Sequence, residues 1–213
     1  MNFKIIRYFL GKIMIIISAL MLAPFAVSLY LGENILPIYA IPIILLAAAG
    51  LLCIIKKPQN TVVHIRDGIF ICTSTWVIMS FFGAIPFYIS GEIPSFTDAF
   101  FETVSGFTTT GSTILTDIEA LPKSLLFWRS FTHWIGGMGV LVFALAIFAQ
   151  KDTKTMYIMR AEAPGPKAGK LVSKMKYTGR ILYLMYIGLT ILEIVFLLVG
   201  KMPLFDSVTT ALS

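Results

Sequence analysis

Charge is what this sequence has least of. Aspartate, glutamate, lysine and arginine together make up 13% of its 213 residues, about half the share in a soluble domain. The few charges are gathered into short clusters between long apolar runs. That excludes an ordinary water-facing surface and points to lipid as the solvent. Cysteine is nearly missing. Cys53 and Cys72 both stand in apolar runs, with no CxxC and no Cys/His cluster. This excludes a zinc site or a disulfide framework and leaves two small buried apolar residues. There is no HExxH, no Walker loop, no pair of carboxylates within an apolar run and no nucleophile beside a base. A membrane enzyme therefore lacks its chemistry, and neither a catalytic residue nor a cofactor is expected. The net charge of +6 does not signal a nucleic-acid partner, because the basic residues follow a membrane topology instead.

What is present is five apolar runs, at about 13–31, 35–55, 68–90, 125–149 and 181–200. A helix rises about 1.5 Å per residue, so some 20 residues cross a hydrocarbon core about 30 Å thick. Lipid offers backbone groups no partners, so each run must be a helix. Three basic residues stand in the N-terminal tail, three between the second and third runs and eight in 151–180, which puts fourteen of the seventeen on one side. Glu33, Glu92, Asp117 and Glu119 mark the other side. The positive-inside rule places the N-terminus of this multi-pass membrane protein in the cytoplasm, and the cell inner (plasma) membrane is its expected location. The first run is read as a span rather than a cleaved signal, because it is longer than a signal core and contains Pro24.

One apolar stretch, 96–106, is too short to cross. Pro94 precedes it, and Ser95 followed by Asp98 is a helix-start signature. Eleven helical residues reach about 16 Å, roughly half the core. A half-length helix between two full spans is expected to be re-entrant, starting outside with its C-terminus in the membrane. That end carries partial negative charge and favours a cation. Thr108, Thr109, Thr110, Gly111, Ser112 and Thr113 follow. A cation filter needs extended backbone whose carbonyls replace the ion's water shell, and glycine permits the angles this demands. By itself the Thr/Gly run reads as a surface loop rich in Thr and Ser; its place after the half-helix makes it a candidate filter.

Three stretches carry a resemblance: FFETVSGFTTTGS at 100–112, SLLFWRSFTHWIGGMGV at 124–140 and RAEAPGP at 160–166. Together they resemble the Trk/Ktr superfamily of potassium uptake proteins, in its bacterial TrkH type. The resemblance runs from about residue 66 onward and is weaker over the first two spans. It implies four helix–pore-loop–helix repeats around one potassium pathway, a dimer when full length, and regulation by a cytosolic nucleotide-binding ring. It also implies that the ion is held by the carbonyls of Thr109, Thr110, Gly111 and Ser112, with potassium as the transported ligand. The expected fold class is all-α and polytopic. Its parts are two N-terminal helices (1–65), a first complete repeat (66–150), a basic cytoplasmic segment (151–180) and the start of a second repeat (181–213). The last part rests on an internal likeness: setting Asp206 on Asp98, an offset of 108, aligns Leu204 with Phe96, Val208 with Phe100 and Ser213 with Ser105. The chain is then expected to stop inside a second pore helix and to form no selective conduit alone. The alternative is a non-transporting membrane scaffold or a decayed fragment of such a transporter.

Other residues carry two readings each. Glu193, mid-span, is either part of the mechanism or a structural hydrogen-bonding group; the second is preferred, because the filters lie elsewhere. Arg129 is expected to snorkel to the interface or pair with Asp117 or Glu119. His133 has no partner at a catalytic spacing, so packing or hydrogen bonding is expected. Gly136, Gly137 and Gly139 suit close packing against the pore helix. His64, beside Arg66 and Asp67, reads as an exposed loop residue. The basic segment 151–180 reads as a loop near anionic lipid or as a docking surface for the regulatory ring.

Overall fold

The computed structural model describes residues 2–33, 36–58, 65–139 and 172–213. Among them every regular element is helical. Four stretches are long and apolar enough to cross a membrane: Phe3–Tyr30, Pro37–Ile54, Arg66–Ser90 and Arg180–Val199. They correspond to four of the five runs expected. The fifth, at 125–149, is described only over its first part. Its end, His64 and most of the basic segment 151–180 lie outside the described residues.

The first span is α1 (Phe3–Leu20) continued by α2 (Leu22–Tyr30), with Met21 between them still in helical conformation. It starts at Phe3 rather than Ile13, because the basic tail is itself helical. The Asn2 side chain accepts from Ile5 N at its start. Arg7 reaches the carbonyl of Lys56 at 3.1 Å, just past the end of α3 (Leu36–Ile54), a cation placed where a helix C-terminus favours one. α1 crosses α3 at Gly11 and Gly50. A Cβ on Gly11 would stand 2.8 Å from the Gly50 carbonyl oxygen, and one on Gly50 equally close to that of Gly11. Small residues at such a crossing let two backbones approach in lipid.

α4 (Ile65–Ser90), α5 (Phe96–Phe107) and α6 (Lys123–Gly137) form the second body of the fold. α5 packs against both neighbours. It is twelve residues long, about 18 Å, and the Ser95 hydroxyl accepts from Asp98 N at 3.4 Å, as the helix-start signature predicts. Trp128 of α6 is fully buried and donates from its indole nitrogen to the Gly83 carbonyl of α4 at 3.0 Å. Phe107 meets it edge to face. α2 is tied to this body through Glu33, whose carboxylate accepts from Ser124 N in the first turn of α6.

α7 (Val172–Val199) leads to α8 (Leu204–Leu212), a short helix packed against α6 and α7. Trp134 donates to the Thr190 hydroxyl at 3.1 Å, and Tyr186 donates to the Trp134 carbonyl at 3.1 Å. Along its most apolar part, within Arg180–Val199, no residue of α7 is buried against the described chain. Glu193 stands exposed on that stretch.

Candidate functional site: the loop behind the half-length helix

α5 ends in a Schellman turn. The Thr110 amide donates to the Ser105 carbonyl at 2.9 Å and the Thr109 amide to the Gly106 carbonyl at 3.0 Å, the paired bonds that define this cap. Thr109 takes the left-handed position, with φ 54°. The Val104 carbonyl receives both the amide and the hydroxyl of Thr108. Three carbonyls in the last turn are thus occupied by the helix's own cap, so the carbonyls available to a ligand shift into the loop that follows.

That loop has no regular structure, and Thr108 through Ile114 are all exposed. The four expected filter residues, Thr109, Thr110, Gly111 and Ser112, are therefore contiguous on an open face directly beyond the negative end of α5. Gly111 has φ 76°, which a residue without Cβ adopts at no steric cost. Among the described residues nothing lies within 4 Å of where its Cβ would stand. The demand for glycine here thus comes from the backbone angle and not from crowding by this chain.

The back of the loop is held from α5. The Ser105 hydroxyl donates to the Ser112 carbonyl at 2.6 Å, leaving that oxygen its second lone pair. Glu102 lies one helical turn earlier and is 2% exposed. Its Oε2 accepts from Thr113 Oγ1 at 2.9 Å and from Ile114 N at 3.2 Å. Its Oε1 accepts from Arg129 Nε at 2.6 Å. This corrects the expectation for Arg129. It neither snorkels nor pairs with Asp117 or Glu119, because it sits on the face of α6 packed against α5 and is 8% exposed. Asp117 uses its carboxylate locally, accepting from Glu119 N. A buried pair of this kind is costly to break: removing one partner costs about 3–5 kcal/mol, since the other is left charged without solvent. The sequence reading leaves Glu102 without a role. The signal was there, a carboxylate past the first turn of a helix in lipid, which needs a partner.

Of the α6 glycines expected to pack against the half-length helix, Gly136 does so, since a Cβ there would run into the Phe107 carbonyl; Gly137 meets the Tyr186 hydroxyl of α7 instead. His133 is buried with Nδ1 3.0 Å from the Arg129 carbonyl, a hydrogen-bonding role.

A family model described as TrkH, cation transport protein, matches residues 34–207. The chain belongs to the TrkH family. That family is one of cation transport proteins and not of enzymes. The chain is 34% identical to the Trk system potassium uptake protein TrkH of Vibrio parahaemolyticus, covering 100% of this chain and 44% of that protein. It is 33% identical to the Trk system potassium uptake protein TrkG of Escherichia coli, covering 99% and 44%. It is 34% identical to an uncharacterised cation transporter of Methanocaldococcus jannaschii, covering 98% and 43%. The crystal structure of the potassium transporter TrkH from Vibrio parahaemolyticus matches with a TM-score of 0.81 at 29% identity, over 100% of this chain and 42% of that one. The chain thus spans less than half the length of the relatives it matches.

Proposed function

We propose that this TrkH-family chain lines one side of a potassium pathway in a multi-pass transporter, with the ion held by backbone carbonyls of Thr109, Thr110, Gly111 and Ser112. The observation that carries the reading is the capped half-length helix whose C-terminus is followed by an open, exposed Thr/Gly loop pinned from behind. Its geometry favours a cation at the helix end and supplies backbone carbonyls in an exposed loop outside regular structure. The potassium uptake named for two of its relatives supports potassium as the ion.

The organisation goes with it. Residues 66–150 form one helix–pore-loop–helix repeat, and 181–213 begin a second. In support, α8 begins 108 residues after α5, each follows a long apolar helix, and each has an aspartate in its first turn. The N-terminus and 151–180 face the cytoplasm of the inner membrane, as the basic residues direct. A dimer of pores and a nucleotide-binding regulatory ring are the partners that fit such an assembly. One loop supplies only one side of a filter, so the isolated chain carries no selective flux.

The test joins this chain to the part of the Vibrio relative that follows its matched region, in a host lacking potassium uptake. Growth on limiting potassium, lost in Gly111→Asp with membrane levels unchanged, is the expected result. A chimera present in the membrane at the relative's level that takes up no potassium overturns the reading. So does selective potassium flux through vesicles containing this chain alone.

A further inference from the structure

We propose that Glu102 is a positioning residue for ion selection: it fixes the returning limb of the loop at Thr113 and Ile114, while Arg129 keeps it aimed. The proposal rests on the pore-loop reading above and adds to it the residue that sets the loop's shape.

The two limbs of the loop are held in different ways. The outgoing limb, Thr109 and Thr110, hangs from the Schellman bonds to backbone carbonyls of α5. Any sequence able to form the cap would supply those. The returning limb has no such backbone support and depends on two side chains of α5, Ser105 and Glu102, three positions apart and so on one helical face. Ser105 fixes the Ser112 carbonyl, and Glu102 fixes both the hydroxyl of Thr113 and the amide of Ile114. Thr113 in turn accepts from Leu115 N at 3.1 Å, passing the constraint along the chain.

The task calls for an acceptor at both ends of the side chain. Glu102 receives from donors at both oxygens: the guanidinium on Oε1, the hydroxyl and the amide on Oε2. A carboxylate accepts at both; a glutamine carries an NH2 at one end and opposes a donor to either Arg129 or Ile114. Arg129 holds Oε1 at 2.6 Å in a site 1% exposed, which turns Oε2 toward the loop. Glu102 lies behind the loop and Thr108 to Ile114 lie in front, exposed. It acts through the loop and does not touch the ion.

A simple structural pair and a positioning residue predict different things, and the chimera separates them. The quantity to measure is the ratio of potassium to sodium uptake, alongside the amount of protein in the membrane. Glu102→Gln, equal in size, should lower that ratio about tenfold, the order expected for losing one hydrogen bond to a charged group. Thr113→Val removes one of the held donors from an exposed position, so it leaves the fold alone and should lower the ratio about threefold. Glu102→Arg combined with Arg129→Glu restores opposite charges but turns a donor toward Ile114 N. It should recover membrane levels without recovering the ratio. A ratio unchanged in Thr113→Val, or recovered in the charge swap, overturns the proposal. Gly111→Asp serves as the control: if it too leaves selective uptake intact, the pore-loop reading itself has failed.

Discussion

Thr109 and Gly111 both have positive φ, two positions apart, yet only one is glycine. The left-handed place in a Schellman turn is usually filled by glycine or asparagine, and an L-residue there costs about 1–2 kcal/mol. Thr109→Gly should therefore raise the thermal midpoint of the detergent-solubilised protein, corresponding to about 1 kcal/mol. Thr109→Val keeps the Cβ branch and should give no such gain. A lower midpoint for Thr109→Gly would mean that the threonine side chain, and not the cap, holds the turn. At this scale the sequence was half legible. A lone glycine in a threonine run announces a positive φ, and Gly111 has one. Nothing in a threonine announces the same at Thr109, since the cap is dictated by where α5 stops. Glu102 and Arg129 were each legible as charges in need of partners. Their pairing depends on which face of α6 meets α5, and that required the structure.

α5 and α6 meet through glycine. Because the atom that a Gly136 Cβ would meet is the Phe107 backbone carbonyl, no side chain can swing aside to make room. Gly136→Ala should push the two helices apart and destabilise the protein by about 1–3 kcal/mol, read as a drop in thermal midpoint. An unchanged midpoint would show that the contact is looser than the geometry implies. The helices themselves were readable from hydropathy and the Ser95–Asp98 start signal, and α5 ends one residue beyond the expected 96–106. The start of the first span was misjudged by ten positions, at 13 against Phe3. Lys4, Arg7 and Lys12 look like a solvated tail, but Asn2 caps the helix and Arg7 and Lys12 find a carbonyl and an aromatic ring nearby.

Across the molecule, membrane sidedness rests on where the basic residues fall. With Cys53 and Cys72 replaced, single cysteines at the exposed positions Lys57 and Glu119 should react with an impermeant reagent from opposite sides, Glu119 from outside. Labelling of both from outside would invert or break the topology. Two surfaces lie open at this scale among the described residues: the face of the loop 108–114 and the apolar stretch of α7 within Arg180–Val199. The sequence foretold the first surface, through the placement of the loop. It foretold the second only as a hydrophobic run, since burial against another helix or against lipid calls for the same residues.

The buried ion pair has a consequence for how the protein is made. α6 as a lone segment offers the insertion machinery Arg129 and His133 within fifteen residues, and an arginine near a helix centre adds roughly 2.5–3.5 kcal/mol to the cost of partitioning into the bilayer. The partner that offsets this charge, Glu102, lies on α5, which is too short to span and carries an unfavourable charge of its own. Neither segment is a good passenger by itself. Each becomes one when the other is beside it. The buried pair therefore makes the half-helix, its loop and α6 one unit in lipid.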